Sequence, residues 1–278
     1  MTKSELICPL CFSPNTAKYL MKDNFSINIC KECTNAWTAP SPSTINYESL
    51  DFHKLEISEK DNSPKSIEKL PKQWRSAIDQ QIKFIKKHVA TDASVLEIGT
   101  GEGIFLNELS KHRYRTFGIE PSKEAALRAE KLGLDIIQGY FPNDKLKNRK
   151  FDLVIMSQVL EHIENPLKVF EDIKEILSEN GKIMLVQTNY KGIMPKIFRG
   201  KWYAWVPEQH FWHFTPRGIL EMAKKQGFKE LDCEYSSLVH YHDNFSVKNI
   251  IMFFAVQFVN LFPSRMKDQF HILLTRNN

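Results

Sequence analysis

Glu97-Ile98-Gly99-Thr100-Gly101-Glu102-Gly103 is the stretch on which the fold turns. It ends an apolar run, Ser94 to Gly99, that reads as a buried strand, and it leads straight into Ile104 to Arg113, which reads as a helix. Glycines at such a junction permit a tight turn and let a ligand approach the main chain, while the helix N-terminus offers unpaired N–H groups. Glu120 closes the next strand, 21 residues after Gly99. A carboxylate there can accept hydrogen bonds from both hydroxyls of an adenosine ribose. A dinucleotide-binding fold uses the same acid, so the loop must separate the two cases. Its spacing is GxGxG, with Ile104 where GxGxxG has its third glycine, and this argues against NAD.

Outward from the loop, strands and helices alternate. Thr116 to Ile119 reads as a strand, Lys123 to Leu132 as a helix stopped by Gly133, and Asp135 to Gln138 as a short strand. Phe151 to Met156 is apolar throughout, as a strand buried on both faces would be. Asn165 and Pro166 supply an N-cap and an N1 proline, and Leu167, Phe170, Ile173 and Leu177 form the stripe of a helix ending at Asn180 and Gly181. Lys182 to Gln187, Phe228 to Tyr235 and Gln269 to Thr275 read as strands, with a Thr215-Pro216 capped helix running to Gly227. The pattern predicts an open α/β sheet of mostly parallel order.

All 11 glycines lie at or after Gly99, so the first third must be held by other means. Cys8, Cys11, Cys30 and Cys33 stand there as CxxC, a spacer and CxxC, which is the spacing of a zinc site. Two knuckles present four thiolates, complete the tetrahedral shell and leave no position for substrate, so the metal is structural. Residues 1–37 are therefore read as a zinc ribbon and 38–73, with four prolines and little periodicity, as a connector. Trp74, Ile78, Ile82, Ile85 and Val89 predict an amphipathic helix over 74–90 that opens a domain reaching to residue 278. Cys233 reads as a small core residue.

At these residues the chain resembles the class I S-adenosylmethionine-dependent methyltransferases. Their ExGxGxG motif is matched by Glu97, Gly99, Gly101 and Gly103, and their ribose-binding acid by Glu120. Phe151-Asp152-Leu153-Val154 through Val159-Leu160-Glu161-His162-Ile163 and Pro166 is similar to the fourth motif of the small-molecule branch. The resemblance implies a seven-stranded, mostly parallel, doubly wound sheet with a final antiparallel strand, preceded here by the ribbon. It implies that the loop, Thr100 included, runs beside the methionine part of the cofactor and that Ser157 and Gln158 lie near its methionyl end. Adenine is expected near Gln138, Gly139 and Tyr140, where many relatives carry an aspartate that this chain lacks. A related subgroup of sugar and secondary-metabolite enzymes carries a zinc ribbon whose last cysteine is followed by a threonine and two prolines, matched by Thr38, Pro40 and Pro42.

Residues 191–214 are read as a substrate lid. Lys191, Lys196, Arg199 and Lys201 occur there with no acid before Glu208, and three of the five tryptophans lie in the same stretch. Trp202, Tyr203 and Trp205 would face a sugar or planar ring, and Arg199 and Lys201 a phosphate or carboxylate. His210 matches a histidine that relatives place close to the transferred methyl. With His162 and Glu161 it forms the candidate catalytic set. Residues 247–261, apolar nearly all round, predict a buried helix, with a membrane-surface contact as the alternative.

A net charge of +5 is spread among mixed charges and argues against nucleic acid. The start lacks an apolar leader and no stretch spans a bilayer, so the expectation is a cytoplasmic enzyme using S-adenosylmethionine and structural zinc. The expected reaction is O-methylation of a sugar, glycolipid or secondary metabolite. The alternatives are an rRNA methyltransferase with a zinc-ribbon RNA contact, and an inactive zinc-ribbon binding protein.

Overall fold

The computed structural model describes residues 6–42, 67, 70, 72–236 and 263–277. The apolar segment 247–261, His240, His242 and most of the connector lie outside them. The chain forms two compact units. The first comprises Met1–Thr44, Leu160–Phe170 and Val186–Asn278, and the second Ile45–Val159 and Glu171–Leu185.

In the second unit, α1 (Lys72–His88) places Lys86, Lys87 and His88 in its last turn, where cations complement the helix dipole. Its Ile82 and Ile85 are buried, as the periodicity requires. The apolar strands β4 (Ser94–Ile98), β5 (Arg115–Glu120), β6 (Asp135–Gln138) and β7 (Phe151–Ser157) follow. β4 pairs in parallel with both β5 and β7, and β5 with β6. The crossovers between them include α2 (Ile104–Ser110) and α3 (Lys123–Glu130), the latter capped by the Ser122 hydroxyl. α2 stops three residues short of the expected Arg113. Arg113 turns left-handed at φ 66°, and the Arg115 N–H joins the Ala93 carbonyl, which draws the chain back into the sheet.

α4 (Pro166–Ile176) has the expected start, with Asn165 Oδ1 accepting from the Lys168 N–H at 3.2 Å. Its end differs from the expectation, because β8 (Leu177–Thr188) begins at Leu177 rather than Lys182. Ser178 donates to Asp152 Oδ1, while the other oxygen of that carboxylate accepts from the Ser94 N–H, so the segment is tied to the sheet before a further helical turn can form. Gly181 is needed for close approach rather than as a cap, since a Cβ there would sit 2.6 Å from Leu177 Cγ.

The first unit contains β1 (Thr16–Lys22), β2 (Phe25–Cys30), β3 (Ala36–Ala39), α5 (Ile193–Phe198), β9 (Trp212–His213), α6 (Pro216–Lys225), β10 (Phe228–Ser236) and β11 (Gln269–Arg276). α6 carries the expected Thr215 cap, which accepts from the Gly218 N–H. Antiparallel pairing gives a small sheet in the order β1-β2-β3-β9, so a strand of the predicted lid is the fourth strand of the ribbon. The large sheet has the order β10-β11-β8-β7-β4-β5-β6. β11 runs antiparallel to β10, as expected for the last strand. Cys233, expected in the core, is only half-buried on β10.

Candidate active site

The loop after β4 is built on left-handed turns. Gly99, Gly101 and Gly103 have φ of 73°, 58° and 78°, a region that a side chain occupies only with strain. A Cβ at Gly103 would lie 2.8 Å from the Ala129 Cβ of α3, so this glycine also allows α3 to approach. Glu120 secures the turn from the adjacent strand. One of its oxygens accepts from the Gly101 N–H and the other from the Ser122 N–H, both at 2.8 Å, and its remaining lone pairs stay available for hydroxyl donors. Glu102 is buried and ion-paired to Arg128 of α3 at 2.5 Å. Glu97 is 3% exposed, and its Oε2 has no hydrogen-bond partner among the described residues. Burial, then the nearby Glu120 carboxylate, holds its carboxyl well above the usual range. A cationic group placed beside Glu97 would relieve both effects.

In the first unit, a three-residue 3₁₀ turn after β7 carries Glu161 and His162. Gln187 of β8 donates to Glu161 Oε2 at 2.9 Å, and burial raises the pKa of this carboxyl while His162 lowers it. His210 packs edge-on against His162 with ring centroids 4.7 Å apart. Its Nδ1 is 3.2 Å from the Ala204 carbonyl, and the His162 Nδ1 is 3.1 Å from the Gln209 carbonyl. A carbonyl only accepts, so each Nδ1 carries a proton, and in a neutral His210 ring Nε2 presents a lone pair. Burial, with smaller contributions from His162 and His213, pushes His210 well below 6.5, so its ring is neutral at pH 7. Donor atoms of Glu161, His162 and His210 lie within 4.8 Å of one another, close enough to pass a proton or hold a cation.

The four ribbon thiols also converge. Cys8 Sγ lies 3.7 Å from Cys33 Sγ and Cys11 Sγ 3.5 Å from Cys30 Sγ, with all four ligand atoms within 4.8 Å. A tetrahedron with Zn–S bonds of about 2.3 Å has edges of about 3.8 Å. The Cys33 N–H donates to Cys30 Sγ, which orients the second knuckle. This cluster has the form of a zinc ribbon.

Residues 66–232 match the family model described as a methyltransferase domain. The chain belongs to the methyltransferase domain family. Among curated proteins it is 31% identical over 156 residues to an uncharacterized protein of Methanocaldococcus jannaschii, covering 54% of this chain and 71% of that one. It is 24% identical over 183 residues to the ubiquinone biosynthesis O-methyltransferase of Coxiella burnetii, covering 59% and 72%. Among solved structures it is similar to a SAM-dependent methyltransferase of Thermotoga maritima described as a possible histamine N-methyltransferase. That match has a TM-score of 0.55 at 18% identity and covers 73% of this chain and 90% of that one. The fold is the class I methyltransferase fold.

In this methyltransferase Glu97, Thr100, the three loop glycines and Glu120 stand together around the turn after β4. Gln138 is exposed, with its amide donating to the Pro121 carbonyl at 3.1 Å; Gly139 has φ 146° and Tyr140 is 47% exposed. Ser157 is half-buried at the end of β7, and Gln158 takes a left-handed φ of 54°. The lid reading needs correction at two positions. Trp202 and Trp205, read as faces open to an acceptor, are each 1% exposed and pack with Ile27 and Ala36 of the ribbon sheet and with Tyr190. They fill core. Arg199 and Lys201 are exposed. Tyr203 exposes 38% of its surface, while burial of its hydroxyl end, and then the Asp268 carboxylate beside it, hold its pKa well above the usual range. The sequence gives no sign of the contacts of Thr38 with His210 and His213, whose partners lie 172 and 175 residues away, or of Gln187 with Glu161.

Proposed function

We propose that this methyltransferase methylates a hydroxyl of a small-molecule acceptor, a sugar or related metabolite with an anionic group. The observation that carries the proposal is His210, a buried neutral imidazole whose Nδ1–H is tied to a carbonyl, so that Nε2 is a base ready for an acceptor proton. When bound, S-adenosylmethionine would supply an electrophilic methyl on a sulfonium, with the S–CH3 bond breaking to leave a neutral thioether. The orphaned oxygen of Glu97 fits the ammonium of its methionine part, and Glu120, held by two main-chain N–H groups, fits the ribose hydroxyls. The glycine loop lets the main chain approach the cofactor. Gln138, Gly139 and Tyr140 are assigned to the adenine, and Ser157 and Gln158 to the methionyl end.

His210 takes the acceptor proton as the oxygen attacks. Glu161 and His162 keep that imidazole oriented and in a polar setting, and positioning supplies much of the rate. Exposed Arg199, Lys201 and Tyr203 hold the acceptor. The four thiolates hold structural Zn²⁺. Among the described residues no helix is long and apolar enough to cross a membrane. The enzyme is assigned to the cytoplasm, where its thiolates stay reduced.

The test is to incubate the protein with methyl-labelled S-adenosylmethionine and a fractionated cell extract. Label in a small anionic, base-stable ether supports the reading, whereas label in RNA, or no label in any fraction, overturns it.

A further inference from the structure

We propose that Thr38 is a positioning residue for His210, and that the ribbon sheet, whose strand β3 runs on to include Thr38, is part of the acceptor machinery rather than a docking module for another protein. The inference rests on the reading of His210 as the base.

The register of β3 against β9 pairs Ala36 with His213 and Trp37 with Trp212, which brings Thr38 beside residues 210 and 211. There Thr38 holds the chain twice. Its N–H donates to the Phe211 carbonyl at 3.0 Å, and its Oγ1 donates to the His210 carbonyl at 2.6 Å. The same Oγ1 lies 3.2 Å from His213 Nε2. A hydroxyl has one proton, and the His210 carbonyl can only accept, so His213 must be the donor to Thr38. His213 is uncharged, because burial and then Lys22 push it down to about 3. The result is a directed chain from His213 Nε2–H to Thr38 Oγ1–H to the His210 carbonyl, in which each bond polarises the next.

The other side of His210 is tied as well. Its N–H donates to the Val206 carbonyl at 2.8 Å, and the Phe211 N–H donates to the Glu161 carbonyl at 2.9 Å. His213 is in turn held under Trp205, with ring centroids 4.6 Å apart. The Trp205 carbonyl accepts from Lys22 of β1.

Further contacts carry the ribbon into the same unit. The Tyr190 hydroxyl donates to the Thr34 carbonyl at 2.8 Å, the Thr34 and Thr215 hydroxyls are hydrogen-bonded at 2.8 Å, and the Asn35 amide donates to the Gly218 carbonyl at 3.1 Å. A docking module would keep such polar groups for solvent or for its partner. Here Thr34, Asn35, Tyr190 and Thr215 are buried, and they tie the ribbon to the segments on either side of the His210 stretch.

The test is Thr38→Val in the zinc-loaded full chain, which keeps the branched strand side chain and removes only the hydroxyl. Turnover should fall by about 10- to 100-fold, with zinc content and KM for S-adenosylmethionine unchanged. Thr38→Ser should restore it to within about threefold. In a His210→Ala background Thr38→Val should cost nothing further, because the two residues act as one unit. An equal loss in both backgrounds, or no rescue by serine, overturns the proposal. The imidazole ¹⁵N shifts of His210 and His213 give a readout independent of turnover. They should move in Thr38→Val, and unchanged shifts overturn the positioning role. If His210→Ala keeps full turnover, the base reading fails, while those shifts still report whether Thr38 positions the ring.

Discussion

The two units are built by opposite rules. In the second, the groups that matter are near neighbours in sequence: the Gly101 N–H meets a carboxylate 19 residues on, and three glycines within five residues shape the turn. In the first, the decisive bonds join residues 172 to 183 apart, from Thr38 to His210, Thr34 to Thr215 and Asn35 to Gly218. The second unit relies on glycine and helix ends, and the first on aromatic packing, with four of the five tryptophans. Each buries a carboxyl with a raised pKa. Glu97 has an oxygen without a partner among the described residues, which suits a cationic ligand, whereas Gln187 satisfies Glu161, which suits a fixed scaffold.

Breaking the cysteine cluster should separate the units most sharply. Cys33→Ala removes a ligand from a ribbon that supplies three of the four strands of the small sheet. Metal analysis should show zinc lost, and methyl transfer should fall by more than about 100-fold, since a structural site contributes folding free energy directly. Glu120→Ala acts in the other unit. It removes a charged acceptor worth about 1.5–3 kcal/mol and frees the Gly101 and Ser122 N–H groups, so calorimetry should find cofactor affinity lower by about 10- to 150-fold. Zinc content should not change.

Gly103→Ala probes the loop without touching its acids. A left-handed alanine whose Cβ meets Ala129 and Leu134 within 2.8 Å should cost about 2–5 kcal/mol in denaturant unfolding. A change below about 1 kcal/mol would mean that the loop relaxes around a side chain.

The histidine cluster predicts a smaller, pH-dependent effect. The unfolded chain protonates His213 at about 6.5, but the folded chain does so only at about 3. The unfolded state therefore binds more protons in that window, and this contribution to stability is lost as pH falls through it, by about 1.4 kcal/mol per pH unit at most. Glu97 and Glu161, with raised pKa values, act in the opposite direction. The difference between wild type and His213→Gln isolates the histidine. It should narrow as pH drops from 7 to 5, and a constant difference would contradict the neutral, buried assignment.

This contrast explains what was legible in the sequence. The strands β4 to β7, the Asn165 and Thr215 caps, the glycine turn and the spacing of the four ribbon cysteines rest on local geometry, which short motifs encode directly. Trp202 and Trp205 were misread because an aromatic cluster looks the same whether it faces a ligand or a core, and only the ribbon sheet packed against it decides between them. Leu177 fits the helical stripe of α4, but the Ser178–Asp152 bond made it the first residue of a strand. Thr38 was legible only as part of the threonine-and-proline pattern after the last ribbon cysteine, because its contact with the His210 segment comes from the β3–β9 register.

The division of labour between the units is tested most directly by calorimetric titration of S-adenosylmethionine into zinc-loaded wild type, Glu120→Ala and Thr38→Val. The account predicts that Glu120→Ala binds about 10- to 150-fold more weakly, while Thr38→Val binds as wild type does. Equal weakening by both variants, or full affinity in Glu120→Ala, would contradict it.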